Sequence, residues 1–146
     1  MKDLYRCLDE YAAPFLQAIA AAWQIPLPKA DAHEMALTLA QAMLVSHVLP
    51  ELLPTLSPAA QQALAEIAAE GGLVPGHRLA ARYGSIRRLG PAAIEREQPW
   101  LEPANPVEEL YYRGLVYRTY GAISDYTGEV FLIPEGLIER VAPLLA

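Results

Sequence analysis

The residues of this chain whose types and spacing could do chemistry lie mostly between positions 78 and 126. They are seven arginines, a run of tyrosines and an adjacent pair of glutamates, Glu108 and Glu109. Arg78 and Arg82 are four apart and share one face of a helix. Arg87 and Arg88 follow a turn later, Arg113 ends a helical pattern, and Arg118 points from a strand pattern. Aligned as one stripe, these guanidinium groups would contact phosphates, each neutralised phosphate on duplex DNA contributing about 0.9 log unit of salt dependence. The same arginines suit partly buried pairs with Glu95, Glu97, Glu102, Glu108 and Glu109. The paired reading weighs slightly more, because a helix opening PVEELYY presents carboxylates where base-reading helices place donors.

Tyr111, Tyr112, Tyr117, Tyr120 and Tyr126 crowd the same region. Alternation puts three or more of them on open faces. There they would stack unpaired bases beside Arg118 or anchor a protein partner, since tyrosine and arginine dominate binding hot spots.

Catalytic chemistry finds less support. Glu108 and Glu109 could serve as acid and base, but at the third helical position and its neighbour they read as capping and dipole partners. His33, His47 and His77 are widely spaced and Cys7 is far from all three, so no tetrahedral zinc set forms. No serine sits in a G-x-S-x-G elbow. GGLVPG lacks phosphate-binding spacing, and Gly71 and Gly72 read as a helix stop. We therefore expect no catalytic residue, no cofactor, no metal and no small-molecule substrate; nothing in the spacing predicts a deep pocket with converging polar groups.

A chain of 146 residues makes one ordinary domain or two small ones sharing a core. With 53 % apolar and 19 % charged residues the chain is not disordered. AAPFLQAIAAAWQIPLP comes nearest to a membrane span, but Pro14, Pro26 and Pro28 interrupt it. The flank MKDLYRCLDE is more acidic than basic and Cys7 has no disulfide partner, so we expect a cytoplasmic location. A net charge of −6 repels polyanions. It is uneven: residues 1–77 carry −5, residues 78–118 carry +2, and residues 119–146 carry −3.

Leu4, Leu8, Tyr11, Phe15, Ile19 and Trp23 recur every three or four residues, with Asp3 as cap and Pro14 forcing a kink or two abutting helices. Asp31 and Glu34 open a helix expected to reach Val48, and PELLPTL reads as a tight connection. Ser57 and Pro58 start another helix, ended by Gly71 and Gly72. After a strand-like bridge at Leu73 and Val74, a short helix stops at Gly84. SIRRLG reads as a miniature helix, with Ser85 as cap and Ile86 and Leu89 inward. PAAIERE is a further helix, and Asn105, Pro106 and Glu108 form a complete helix start. LVYRTY and EVFLI alternate as two strands joined by GAISDYTG, with Val130 and Leu132, or Phe131 and Ile133, completing the core. The last helix places Leu137, Ile138, Val141 and Leu144 inward, and Trp100 plugs the gap between helical layers.

AAEGGLVPGHRLAARYGSIRRLGP, EREQPWLEPANPVEELYYRGLVYR and GEVFLIPEGL are together similar to uncharacterised bacterial winged-helix proteins, notably of green non-sulfur bacteria. These are described as resembling the N-terminal accessory region of XPB-type helicases. The likeness covers roughly residues 58–140. It implies a non-catalytic, helicase-associated module, accessory to DNA or RNA transactions, and no motor: the chain has no G-x-x-x-x-G-K-[ST] loop. FLQAIAAAWQIPLPKADAHEMALTLAQAML faintly resembles small nucleic-acid modules of the SAP kind, which implies Lys29 near phosphate.

The expected architecture is mainly α within the α+β class. It has an N-terminal helical layer, residues 1–56, and a winged-helix-like domain, residues 57–146, with a two-stranded antiparallel wing and an inserted segment, 85–104. The expected role is an interaction or assembly module without enzymatic activity, using Tyr111, Tyr112, Tyr117, Tyr120 and Tyr126 toward a protein partner or a second copy. The alternative is direct nucleic-acid binding through Arg78, Arg82, Arg87, Arg88, Arg113 and Arg118.

Overall fold

A computed structural model describes residues 3–145. Helices α1 (Leu4–Leu8), α2 (Ala13–Ala22), α3 (Ala32–Val45) and the short α4 (Leu49–Leu52) form the N-terminal layer. Asp3 accepts from the Arg6 N–H and Asp31 from the Glu34 N–H, each supplying an acceptor to one of the unpaired N–H donors at a helix start. The apolar spacing continues from α1 into α2, but as two abutting helices, with Pro14 in the first turn of α2. α3 stops at Val45, short of Val48, and PELLPTL is helical: Pro50–Leu52 lie in α4 and Leu53–Thr55 form a 3₁₀ turn.

The remaining elements are α5 (Pro58–Ala69), β1 (Leu73–Pro75), α6 (Gly76–Tyr83), α7 (Pro91–Glu97), α8 (Pro106–Tyr112), β2 (Tyr117–Ile123), β3 (Tyr126–Leu132) and α9 (Ile138–Leu145). Three strands form one antiparallel sheet in the order β1-β3-β2, so the fold is α+β. Val74 pairs with Phe131 and Tyr117 with Leu132. The β2–β3 ladder runs on through Gly121 and Gly128 to Ile123 and Tyr126. The connection is therefore Ser124-Asp125 alone, not the whole of GAISDYTG, with Ser124 at φ 53°. A left-handed turn residue lets a two-residue hairpin follow the strand twist. Val130, Phe131, Leu132 and Ile133 are all buried, because the base of the central strand is covered on both faces. Alternation had predicted only one pair of them inward.

The two layers share one hydrophobic interior that runs from Leu4 to Val141. Hydrogen bonds, a close backbone approach and aromatic packing tie them. Trp23 Nε1 donates to the Arg113 carbonyl at 2.7 Å. Arg140 on α9 donates to the carbonyls of Met43, Leu44 and Ser46, satisfying acceptors left over at the end of α3. Gly114, at φ 72°, lets the end of α8 approach α2 so closely that a Cβ there would lie 2.7 Å from Ile19 Cγ2. Trp23, rather than the half-buried Trp100, is the fully enclosed indole of the interface. Leu137, just before α9, and Val141 are buried and Ile138 and Leu145 are partly so, while Leu144, expected inward, is exposed. No single helix among the described residues is long and apolar enough to cross a membrane, although α3 and the segment Leu49–Thr55 pass together as a pair bent by 87°.

Three of the five tyrosines considered for interaction are inside. Tyr111, Tyr112 and Tyr117 are buried, and Tyr111 and Tyr112 meet at 5.0 Å between ring centroids. The N-terminal layer supplies their partners: Phe15 lies 5.2 Å from Tyr111 and 5.1 Å from Tyr112, and Tyr11 stacks on Phe15 at 4.2 Å. Strand alternation cannot see rings contributed from a hundred residues away. The Tyr117 hydroxyl is buried and finds no hydrogen-bond partner among the described residues. A buried unsatisfied hydroxyl costs about 1–3 kcal/mol. Replacing Tyr117→Phe should therefore raise stability by about 1 kcal/mol, moving the thermal midpoint up by roughly 2–4 °C for a chain of this size. A fall in the midpoint would show that the hydroxyl has a partner.

Candidate functional site

Glu108 stands three residues after the N-cap Asn105, whose Oδ1 accepts the Glu108 N–H at 3.0 Å. Its side chain then folds away from solvent and is fully buried. Oε2 accepts the Arg87 backbone N–H at 2.7 Å, and Oε1 accepts the Ala104 N–H at 2.9 Å. The Arg87 guanidinium donates to the same carboxylate through Nε and Nη2 at 2.9 Å each. Burial pushes the carboxyl pKa up, but these donors outweigh it and hold Glu108 below its ordinary value. Residues 85–89 are irregular, and SIRRLG is not the expected helix. The Arg87 N–H is committed to Glu108, and Asn105 Nδ2 holds the Ser85 carbonyl at 2.8 Å.

The neighbouring carboxylate is also engaged. Glu109 accepts from Ser57 N–H and Oγ at 2.8 and 2.9 Å and pairs with Arg113 at 3.1 Å. The two glutamates thus reach opposite ways, Glu108 toward the inserted segment and Glu109 toward the start of α5.

The six arginines do not form one open stripe. Arg78 pairs with Glu70 at 3.2 Å and Arg82 with Glu66 at 2.6 Å, both across to α5. Glu66 and Glu70 precede the segment in which partners were expected, and no described ion pair joins an arginine to Glu95, Glu97 or Glu102. Arg87 and Arg113 hold Glu108 and Glu109. Arg118 lies over the Tyr111 ring, 5.3 Å from its centroid. Arg88 has no ion pair among the described residues.

Of the five tyrosines, Tyr120 alone is fully open, at 77 % exposure, on the outer strand β2. It shares a shallow hollow with Arg88, Arg118, Thr119 and Glu129. Tyr126 is half-buried, its hydroxyl donating to the Glu129 carbonyl at 2.7 Å and its ring against His77. α8 is closed: Val107, Glu108, Leu110, Tyr111 and Tyr112 are all buried. His33 bonds Asp9, and His47 is exposed beyond the end of α3. No group of three His, Cys, Asp or Glu side chains converges among the described residues.

One hollow was not legible in the sequence. A cleft of about 370 Å³ opens where the α1–α2 turn, the inserted segment, α8 and β2 meet. Its floor includes Tyr112, whose pKa burial and nearby Glu108 push up to about 12. One wall, the α1–α2 turn, is far in sequence from the inserted segment, α8 and β2 that form the rest, so no local spacing could announce it.

The chain matches no protein-family model, no curated protein and no solved structure.

Glu108→Gln should destabilise the fold by about 3 kcal/mol, as removal of one member of a buried pair does. Either orientation of the amide sets an NH₂ against a backbone N–H donor. In the unaltered chain the contribution is complete above the ordinary glutamate value of 4.5 and is lost as pH falls through the lower folded-state value. Chemical denaturation at pH 7 and at successively lower pH measures both. A Glu108→Gln protein as stable as the parent would contradict the assignment.

Proposed function

We propose that this chain is a non-catalytic interaction module of winged-helix type, docking or self-assembling through its β2–β3 hairpin. The sequence helix, short strand, helix, helix, hairpin around a β1-β3-β2 sheet supports the winged-helix reading, with residues 85–104 inserted before the third helix. The observation that carries the mode of action is the burial of α8. A groove-reading third helix needs an open polar face, and α8 has its first-turn carboxylate inside and its tyrosines in the aromatic core. What stays open is β2, an edge strand whose outward backbone groups suit strand addition. Tyr120 supplies the aromatic anchor that such contacts favour.

Direct nucleic-acid binding is the second reading, favoured by Arg88 and Arg118 beside Tyr120. It has lost most of its support, since Arg78, Arg82, Arg87 and Arg113 are held by carboxylates.

Light scattering across a concentration series should reveal self-association that Tyr120→Ser weakens by about tenfold or more, the range of a hot-spot aromatic. A monomer at every concentration would sink self-assembly. A fluorescence titration with duplex and single-stranded DNA should show no binding at low salt. Binding whose affinity falls steeply with added salt would transfer the function to the arginines.

A further inference from the structure

The structure assigns a ligand site to the cleft between the N-terminal layer and the inserted segment, and its chemistry selects a small aromatic monocarboxylate. The volume, about 370 Å³, is that of a small-molecule site and too little for a folded partner. The site shares Arg118 with the hollow beside Tyr120 but does not include Tyr120, and it does not depend on assembly through the hairpin.

Phe15, Tyr111 and Tyr112 form a buried aromatic surface on one side, and Ile94 of α7 faces the cleft from the other. Tyr11, stacked on Phe15, adds a further ring to this aromatic lining. The polar groups converge from two elements. Arg118 rests its guanidinium on the Tyr111 ring and has no carboxylate partner among the described residues, so its planar fork is open to a bidentate carboxylate. Arg87 is held through Nε and Nη2 by Glu108, while its Nη1 takes no partner among the described residues. A guanidinium fixed in this way loses little freedom when it donates again. Glu95 also lines the cleft and opposes a second negative charge. Phosphate dianions and nucleotides are thereby disfavoured, and a single carboxylate on an aromatic body remains.

Isothermal titration of the full chain with indole-3-acetate, indole and tryptamine tests this. Indole-3-acetate should bind with a Kd below about 1 mM, neutral indole about tenfold more weakly, and cationic tryptamine not measurably. Arg118→Gln, on a partly exposed strand position, should weaken indole-3-acetate by about tenfold with its melting curve unchanged. Ile94→Trp, which fills the cleft, should abolish binding. No heat with indole-3-acetate at millimolar concentration would overturn the proposal. So would tryptamine binding as tightly, or an Arg118→Gln protein with undiminished affinity. Should Ile94→Trp fail to fold, the Arg118→Gln comparison decides.

Discussion

A carboxylate removed completely from water is costly unless donors surround it, and several kcal/mol separate the two situations. Glu108 is so removed, and four donor groups surround it: two backbone N–H groups and two arms of Arg87. Those donors belong to Arg87 and Ala104, near the two ends of the inserted segment. One buried charge therefore clasps residues 85–104 onto α8. With the segment clasped, the end of α8 is shielded, and Tyr111 and Tyr112 remain in contact with Phe15. The cleft beside them exists because the inserted segment forms one of its walls.

The same clasp bears on the functional reading. An element order that in principle positions a third helix for a groove here ends with that helix inside the molecule. Its two acids are spent on internal geometry, Glu108 on the insertion and Glu109 on the start of α5. Four of the six central arginines are likewise paired with carboxylates, Arg87 and Arg113 on these two acids and Arg78 and Arg82 in exposed pairs with Glu70 and Glu66. Surface chemistry is left to the hairpin and to the cleft, both of which combine arginine with aromatic rings.

Local signals in the sequence were readable because their physics is local. Asp3, Asp31, Ser57 and Asn105 cap helices where their side chains can reach an N–H three residues on. Gly114 stops α8 because the backbone there turns left-handed. What escaped was decided by groups far apart in the chain. SIRRLG has a helix's spacing, yet the Arg87 N–H gains more from a buried carboxylate than from a helical carbonyl. Tyr111, Tyr112 and Tyr117 read as candidate interaction residues because Tyr11 and Phe15, which enclose them, belong to another layer. Arg78 and Arg82 were correctly placed on one helix face, but that face meets Glu66 and Glu70 of α5 and not the inserted segment. The cleft left no trace at all, since the α1–α2 turn that lines it is far in sequence from the inserted segment, α8 and β2.

Backbone hydrogen exchange at Arg87 and Ala104 tests the central claim most directly. Both residues lie in irregular segments, and the only acceptor for each N–H among the described residues is the Glu108 carboxylate. If that carboxylate clasps the insertion, both amides exchange as slowly as those of the core strand β3. Exchange at the rate of the Ser124-Asp125 hairpin tip would mean that the clasp is open in solution, and with it α8.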